Sequence, residues 1–119
     1  MTERVLILGG TGMLGHKLVH RLADTFEVFA TVRANPGRLE EFVTRNRIVS
    51  GVTGEDFDSV VATVAKVKPA IIINCIGIVK QLPEAHDAVK SILINALLPN
   101  RTAALAQAAG ARLLHISTD

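Results

Sequence analysis

The sequence predicts an α/β fold, a doubly wound parallel sheet with helices on both faces. Three observations predict it. Residues 5–15 read VLILGGTGMLG, an apolar strand that runs into glycines at 9, 12 and 15 and continues as an amphipathic helix. Apolar runs alternate with helical periodicity from end to end, the pattern of strands joined by crossover helices. Residues 70–75, AIIINC, are a continuous apolar run, as expected for a strand buried on both faces in the middle of a parallel sheet.

Each element follows in order. The first strand is expected at 4–8. The helix after Gly12 places Leu14, Leu18 and Leu22 on one face and turns His16, Lys17, His20 and Arg21 mostly to solvent. A second strand at 27–32 ends at Arg33. Asn35 can cap a short helix with Pro36 at its first position, burying Leu39, Phe42 and Val43. Residues 47–50 form a short third strand, and Gly51 and Gly54 bracket the loop after it. Phe57, Val60, Val61, Val64 and Val67 then keep helical spacing up to Pro69. After the fourth strand at 70–75 come a loop over 76–85 and a long helix over about 87–109. Pro99 should kink that helix and Gly110 should stop it. The fifth strand is expected at 112–117. Right-handed crossovers with helices alternating between faces give five strands in the order 3-2-1-4-5, in one domain over residues 1–119.

Composition narrows the class further. Hydrophobic residues make up 49% and charged residues 20%, so the chain is built to be buried. Thirteen basic residues against eleven acidic leave a net charge of +2, too balanced to argue for nucleic acid or an anionic membrane. Cys75, the single cysteine, has no partner for an internal disulfide and points to a reducing compartment. The first apolar run breaks at Gly9, too short for a signal peptide or a membrane span, so a soluble cytoplasmic protein is expected. His16, His20, His86 and His115 have no metal-ligand spacing, and no metal site is expected. His115, on the fifth strand, reads as a packed core residue.

The glycines carry the first functional expectation. Gly9 permits a tight turn out of the strand. Gly12 lets a pyrophosphate approach the backbone, and Gly15 lets the helix pack against the sheet. The N–H groups of Met13 and Leu14 would then face the anion from the positive end of the helix. Other residues at the carboxyl edge of the sheet follow. Arg33 stands where dinucleotide domains keep the residue that meets the adenosine ribose. A basic residue there pairs with a 2′-phosphate, so NADP is favoured with NAD as the alternative; a solvated loop arginine is the plainer reading. Asn74-Cys75-Ile76-Gly77 can form a flat wall for adenine and ribose, or only a strand end with a turn glycine. Cys75 reads as a small buried hydrophobe rather than a nucleophile. Ser117 and Thr118 could hydrogen-bond and polarise a substrate carbonyl, or simply close the strand.

Three segments, GGTGMLG, INCIG and INALLPNRTAALAQAAGARLLHISTD, together resemble the extended short-chain dehydrogenase/reductase superfamily, nearest its dTDP-4-dehydrorhamnose reductase branch. The resemblance implies a Rossmann-type domain and an NAD(P)-dependent enzyme with a catalytic Ser or Thr, Tyr and Lys. It puts Thr118 on the Ser/Thr position with Ser117 beside it. Gly9, Gly12 and Gly15 fall on the pyrophosphate loop, Asn74 and Gly77 line the cofactor, and Asn95 supports the site. Many relatives carry an Asp just after the third strand, near the adenine. Here that stretch reads Gly51-Val52-Thr53-Gly54, which leaves only backbone contacts from Val52. The family's Tyr-x-x-x-Lys pair has no counterpart, since the sequence contains no tyrosine.

The expectation is therefore the cofactor-binding portion of a longer reductase acting on a 4-keto sugar nucleotide, inactive alone. A nucleotide-sugar substrate and self-association are its expected partners. The alternatives are a sugar-nucleotide epimerase or dehydratase of the same superfamily, and a non-catalytic NADP-sensing regulator.

Overall fold

The computed structural model describes residues 3–76 and 97–116. Its parallel strands are β1 (Arg4–Leu8), β2 (Glu27–Thr31), β3 (Ile48–Val49), β4 (Ile71–Asn74) and β5 (Arg112–His115). They form one sheet in the order β3-β2-β1-β4-β5, the predicted topology. β1 is central: Leu6 pairs with Phe29 of β2 on one side and with Ile72 of β4 on the other.

Alternation along β1 feeds two cores. Val5 and Ile7 point to one face with Val19, Val28, Ala30 and Leu39. Leu6 and Leu8 point to the other with Val60, Val64, Ile72 and Ala106. Helix α1 (Met13–Leu22) covers the first face, while α2 (Phe57–Val67) and α3 (Leu98–Ala109) cover the second. Because both faces are covered, β1 over residues 5–8 and β4 over residues 71–73 are continuously apolar rather than alternating with polar residues. Stop signals end the two later helices. Lys68 takes a left-handed conformation at φ 53° ahead of Pro69, and Gly110 does so at φ 72°.

Several expectations shift in detail. The short helix expected after β2 is present as a 3-10 helix (Gly37–Glu41), with Pro36 as its N-cap rather than its first residue. Gly37 sits inside it at φ 60°, a left-handed conformation that an α-helix does not accommodate. Asn35 still organises its start, its Oδ1 accepting from the Gly37 N–H at 2.9 Å. Leu39 is fully buried, as expected. A second 3-10 turn (Arg45–Arg47) takes up Arg47, which shortens β3 to two residues. The loop expected over 76–85 and the first part of the long helix fall mostly on residues 77–96, outside the described residues. Pro99 itself lies in the first turn of α3 (Leu98–Ala109), where its missing N–H removes no intrahelical bond.

The histidines and Leu14 correct the helix-face reading. Leu14 is 42% exposed at the mouth of α1 instead of buried, while Leu18 and Leu22 pack on the core as predicted. His16 is half-buried, its ring edge-on to Phe42 at 5.2 Å with Nε2 buried and lacking a hydrogen-bond partner. His20 is exposed and stacks flat on the same ring at 4.4 Å. Phe42, delivered by the 3-10 segment, draws both toward it. His115 is exposed rather than in the core, because β5 is the edge strand.

Candidate functional site

The turn from β1 into α1 is shaped by glycines under different constraints. Gly9 adopts φ 85°, a region that side chains disfavour, and a Cβ there would press on Cys75 and Ile76 at 3.1–3.2 Å. At Gly15 a Cβ would collide with the carbonyl oxygen of Gly9, so only glycine brings the helix this close to the loop. Gly12 differs. Its Cβ would meet nothing among the described residues closer than the Gly9 carbonyl at 3.8 Å, so none of their atoms demands glycine there. The missing side chain instead leaves the mouth of the helix open.

Among the described residues, no side chain fills that mouth electrostatically. Gly12 is the N-cap of α1; among the described residues no side chain caps the helix, and no acidic residue lies in its first turn. The Gly12 carbonyl takes the His16 N–H at 2.8 Å, which closes the first helical turn. The N–H groups of Met13 and Leu14 precede any intrahelical acceptor, so they project from the positive end of the helix dipole. Met13 itself is 83% exposed beside them.

Thr31, at the end of β2, locks the loop in place. Its side-chain Oγ1 accepts from the Gly9 N–H at 2.9 Å, and its carbonyl accepts from the Gly10 N–H at 2.8 Å. Thr31 is buried, as is Gly10, where a Cβ would meet Ala30 and Leu39 at 2.9 Å. The sequence reading assigns no role to Thr31. The available signal is a polar residue ending the apolar run Val28–Ala30, beside the glycine turn.

Beyond Thr31 the chain reaches Arg33, whose Nη2 donates to Glu55 Oε2 at 2.6 Å. The Arg33 carbonyl accepts from Gly51 at 3.2 Å, and the Val32 carbonyl accepts from Val52 at 3.2 Å. These bonds lace the end of β2 to the loop after β3. Val52 is buried with its N–H already occupied, so any contact it makes with a ligand would fall to its carbonyl. Glu55 was not among the residues expected at the site.

Asn74 closes β4 as a brace. It is fully buried, its Oδ1 accepting from the Ile76 N–H at 3.0 Å and its Nδ2 lying 3.1 Å from His115 Nδ1 on β5. Its side chain fixes the strand end, so a ligand in this region would meet the shape it holds. Cys75 follows, its N–H donating to the Leu8 carbonyl at 2.8 Å. Burial pushes its thiol up to about 11, which keeps it neutral and unreactive near pH 7. Gly77, Asn95, Ser117 and Thr118 lie outside the described residues.

The structure thus brings Gly9, Gly12, Met13, Leu14 and Gly15 together at one helix mouth. Arg33 and Val52 come off adjacent strands, and Asn74 and Cys75 end β4 beside the Gly9 turn. Among the described residues no cluster of His, Cys, Asp and Glu could hold a metal ion. No described helix is long and apolar enough to cross a membrane.

A family model described as the RmlD substrate binding domain matches residues 3–119. The chain belongs to that family. No curated protein matches the sequence. Solved structures share the fold of this RmlD-family chain at low identity. WbmG of Bordetella bronchiseptica, in complex with NAD, is 21% identical with a TM-score of 0.77, over 97% of this chain and 37% of that one. A dTDP-4-dehydrorhamnose reductase from Bacillus anthracis, in complex with NADP, is 23% identical with a TM-score of 0.68, over 95% of this chain and 35% of that one. L-Threonine 3-dehydrogenase from Trypanosoma brucei is 19% identical with a TM-score of 0.81, over 97% of this chain and 36% of that one. The RmlD-family chain therefore spans little more than a third of the length of these structures.

Proposed function

We propose that this chain is the cofactor-binding part of an NAD(P)H-dependent reductase acting on a 4-keto sugar nucleotide, with NADP favoured over NAD. One observation carries the cofactor half of this reading: a helix mouth that no described side chain caps, behind a glycine where no described atom would exclude a side chain. The residues fit a dinucleotide diphosphate, which needs backbone N–H donors, positive helix charge and room to approach. Met13 and Leu14 would donate to the diphosphate, Arg33 would stand by the adenosine ribose, and the β4 end held by Asn74 would shape the neighbouring wall. When bound, the dinucleotide supplies or accepts the hydride.

Family membership and the sugar-nucleotide character of two relatives support the substrate half. The Bacillus anthracis relative is a dTDP-4-dehydrorhamnose reductase, and WbmG was also solved with NAD and UDP. In this reading Ser117 and Thr118 hydrogen-bond the substrate carbonyl and Asn95 supports them. The chain contains no tyrosine, so within these 119 residues the superfamily's proton donor is missing. Loss of proton transfer alone removes a factor of roughly 10²–10⁴ in rate, so the chain by itself is expected to bind cofactor without useful turnover.

Reading the gene past Asp119 tests this directly. A Tyr-x-x-x-Lys encoded downstream, in a product that oxidises NADPH on addition of a 4-keto dTDP-sugar, is the expected result. A frame that closes without that pair would turn the reading to a non-catalytic NADP sensor. Cofactor turnover without net NADPH consumption would turn it to an epimerase or dehydratase.

A further inference from the structure

Arg33 does not face solvent unaccompanied. Its Nη2 meets Glu55 Oε2 at 2.6 Å, and the two side chains are 57% and 24% exposed, so the carboxylate is the more enclosed partner. The enclosure is built. Thr53 N–H donates to Ser59 Oγ at 3.2 Å, Asp56 N–H donates to Thr53 Oγ1 at 3.2 Å, and Ser59 Oγ donates to the Asp56 carbonyl at 2.6 Å. These bonds bracket Glu55 on both sides and fold the start of α2 back over the loop. The loop is tied in turn to β2 through the Gly51 and Val52 N–H groups, on the carbonyls of Arg33 and Val32. Glu55 is therefore presented to Arg33 by the backbone rather than reaching it by chance.

We propose that Glu55 is a specificity-determining residue: a built-in carboxylate that competes with a cofactor 2′-phosphate for Arg33. The inference rests on the dinucleotide reading above. A phosphate monoester carries about −1.5 to −2 charge near neutral pH. To reach the Arg33 guanidinium it must share or displace the carboxylate already there, against like-charge repulsion. A free ribose 2′-hydroxyl carries no such charge and can donate to a carboxylate. Glu55 thus narrows the advantage that Arg33 alone would give a 2′-phosphorylated cofactor, and leaves the site open to both.

Titration calorimetry of the chain with NADPH and with NADH, before and after Glu55→Gln, tests this. The NADPH:NADH affinity ratio should rise on the order of tenfold in Glu55→Gln, equal to about 1.4 kcal/mol. Glu55→Asp keeps the charge and should stay near the wild-type ratio, which separates charge from shape. Binding of both cofactors with a ratio unchanged or lowered by Glu55→Gln would overturn the inference and leave the dinucleotide reading standing. An equal shift in Glu55→Asp would also overturn it. Failure of the wild-type chain to bind either cofactor would overturn the dinucleotide reading and this inference with it.

Discussion

At the scale of single residues, the glycines were legible and their partners were not. Gly9 and Gly15 announce themselves by spacing, because backbone constraints leave glycine as the only solution. Thr31 and Glu55 act through hydrogen bonds to residues 22 positions away, which no local pattern encodes. The same limit explains Leu14 and His16. Helical periodicity places them by angle, but Leu14 sits at the exposed mouth of α1 and His16 is drawn to Phe42 from a separate segment. Cys75 reads from sequence as a small hydrophobe, and its half-buried thiol, pushed up to about 11 by burial, behaves as one. Its folded pKa is raised above the ordinary 9.0, so the neutral-thiol contribution to stability is complete below about pH 9 and is lost as pH rises toward 11. Alkylation of the folded chain by iodoacetamide should accordingly be slow at pH 8 and accelerate only above about pH 10. Rapid labelling of folded protein at pH 7 would contradict this.

At the scale of elements, long periodic segments were predictable and short ones were not. The residues of α2 came directly from apolar spacing bounded by Pro69, and β1 and β4 from runs too apolar for a one-sided sheet. The 3-10 segment and the two-residue β3 were blurred, because Gly37 and the Arg45–Arg47 turn override what propensity suggests. The joint between β1 and α1 has the sharpest energetic signature. In an open helix, glycine to alanine stabilises by roughly 0.5–1 kcal/mol. At Gly15 the added Cβ collides with the Gly9 backbone, and overpacking of this kind costs typically 1–3 kcal/mol or more. The steric effect wins, so Gly15→Ala should lower the denaturant midpoint of unfolding. A variant as stable as the parent would mean that the loop and helix are not packed this closely.

At the scale of the whole molecule, topology converts these local facts into a site. The order β3-β2-β1-β4-β5 reverses direction at β1, and ligands of open α/β sheets bind outside the carboxyl ends of the strands at such a point. The glycine turn leaves β1 there, Arg33 follows β2 and Asn74 ends β4, all at one edge. The topology was legible because crossover handedness leaves few choices once the strands are placed. The identity of a substrate was not, since few substrate-selecting groups are fixed by the strands themselves. The central claim is that the uncapped end of α1 is a dinucleotide cradle. Titration calorimetry of NADPH into the 119-residue chain tests it most directly. The account predicts saturable one-to-one binding that weakens with added pyrophosphate as competitor, and absence of binding at millimolar NADPH would contradict it.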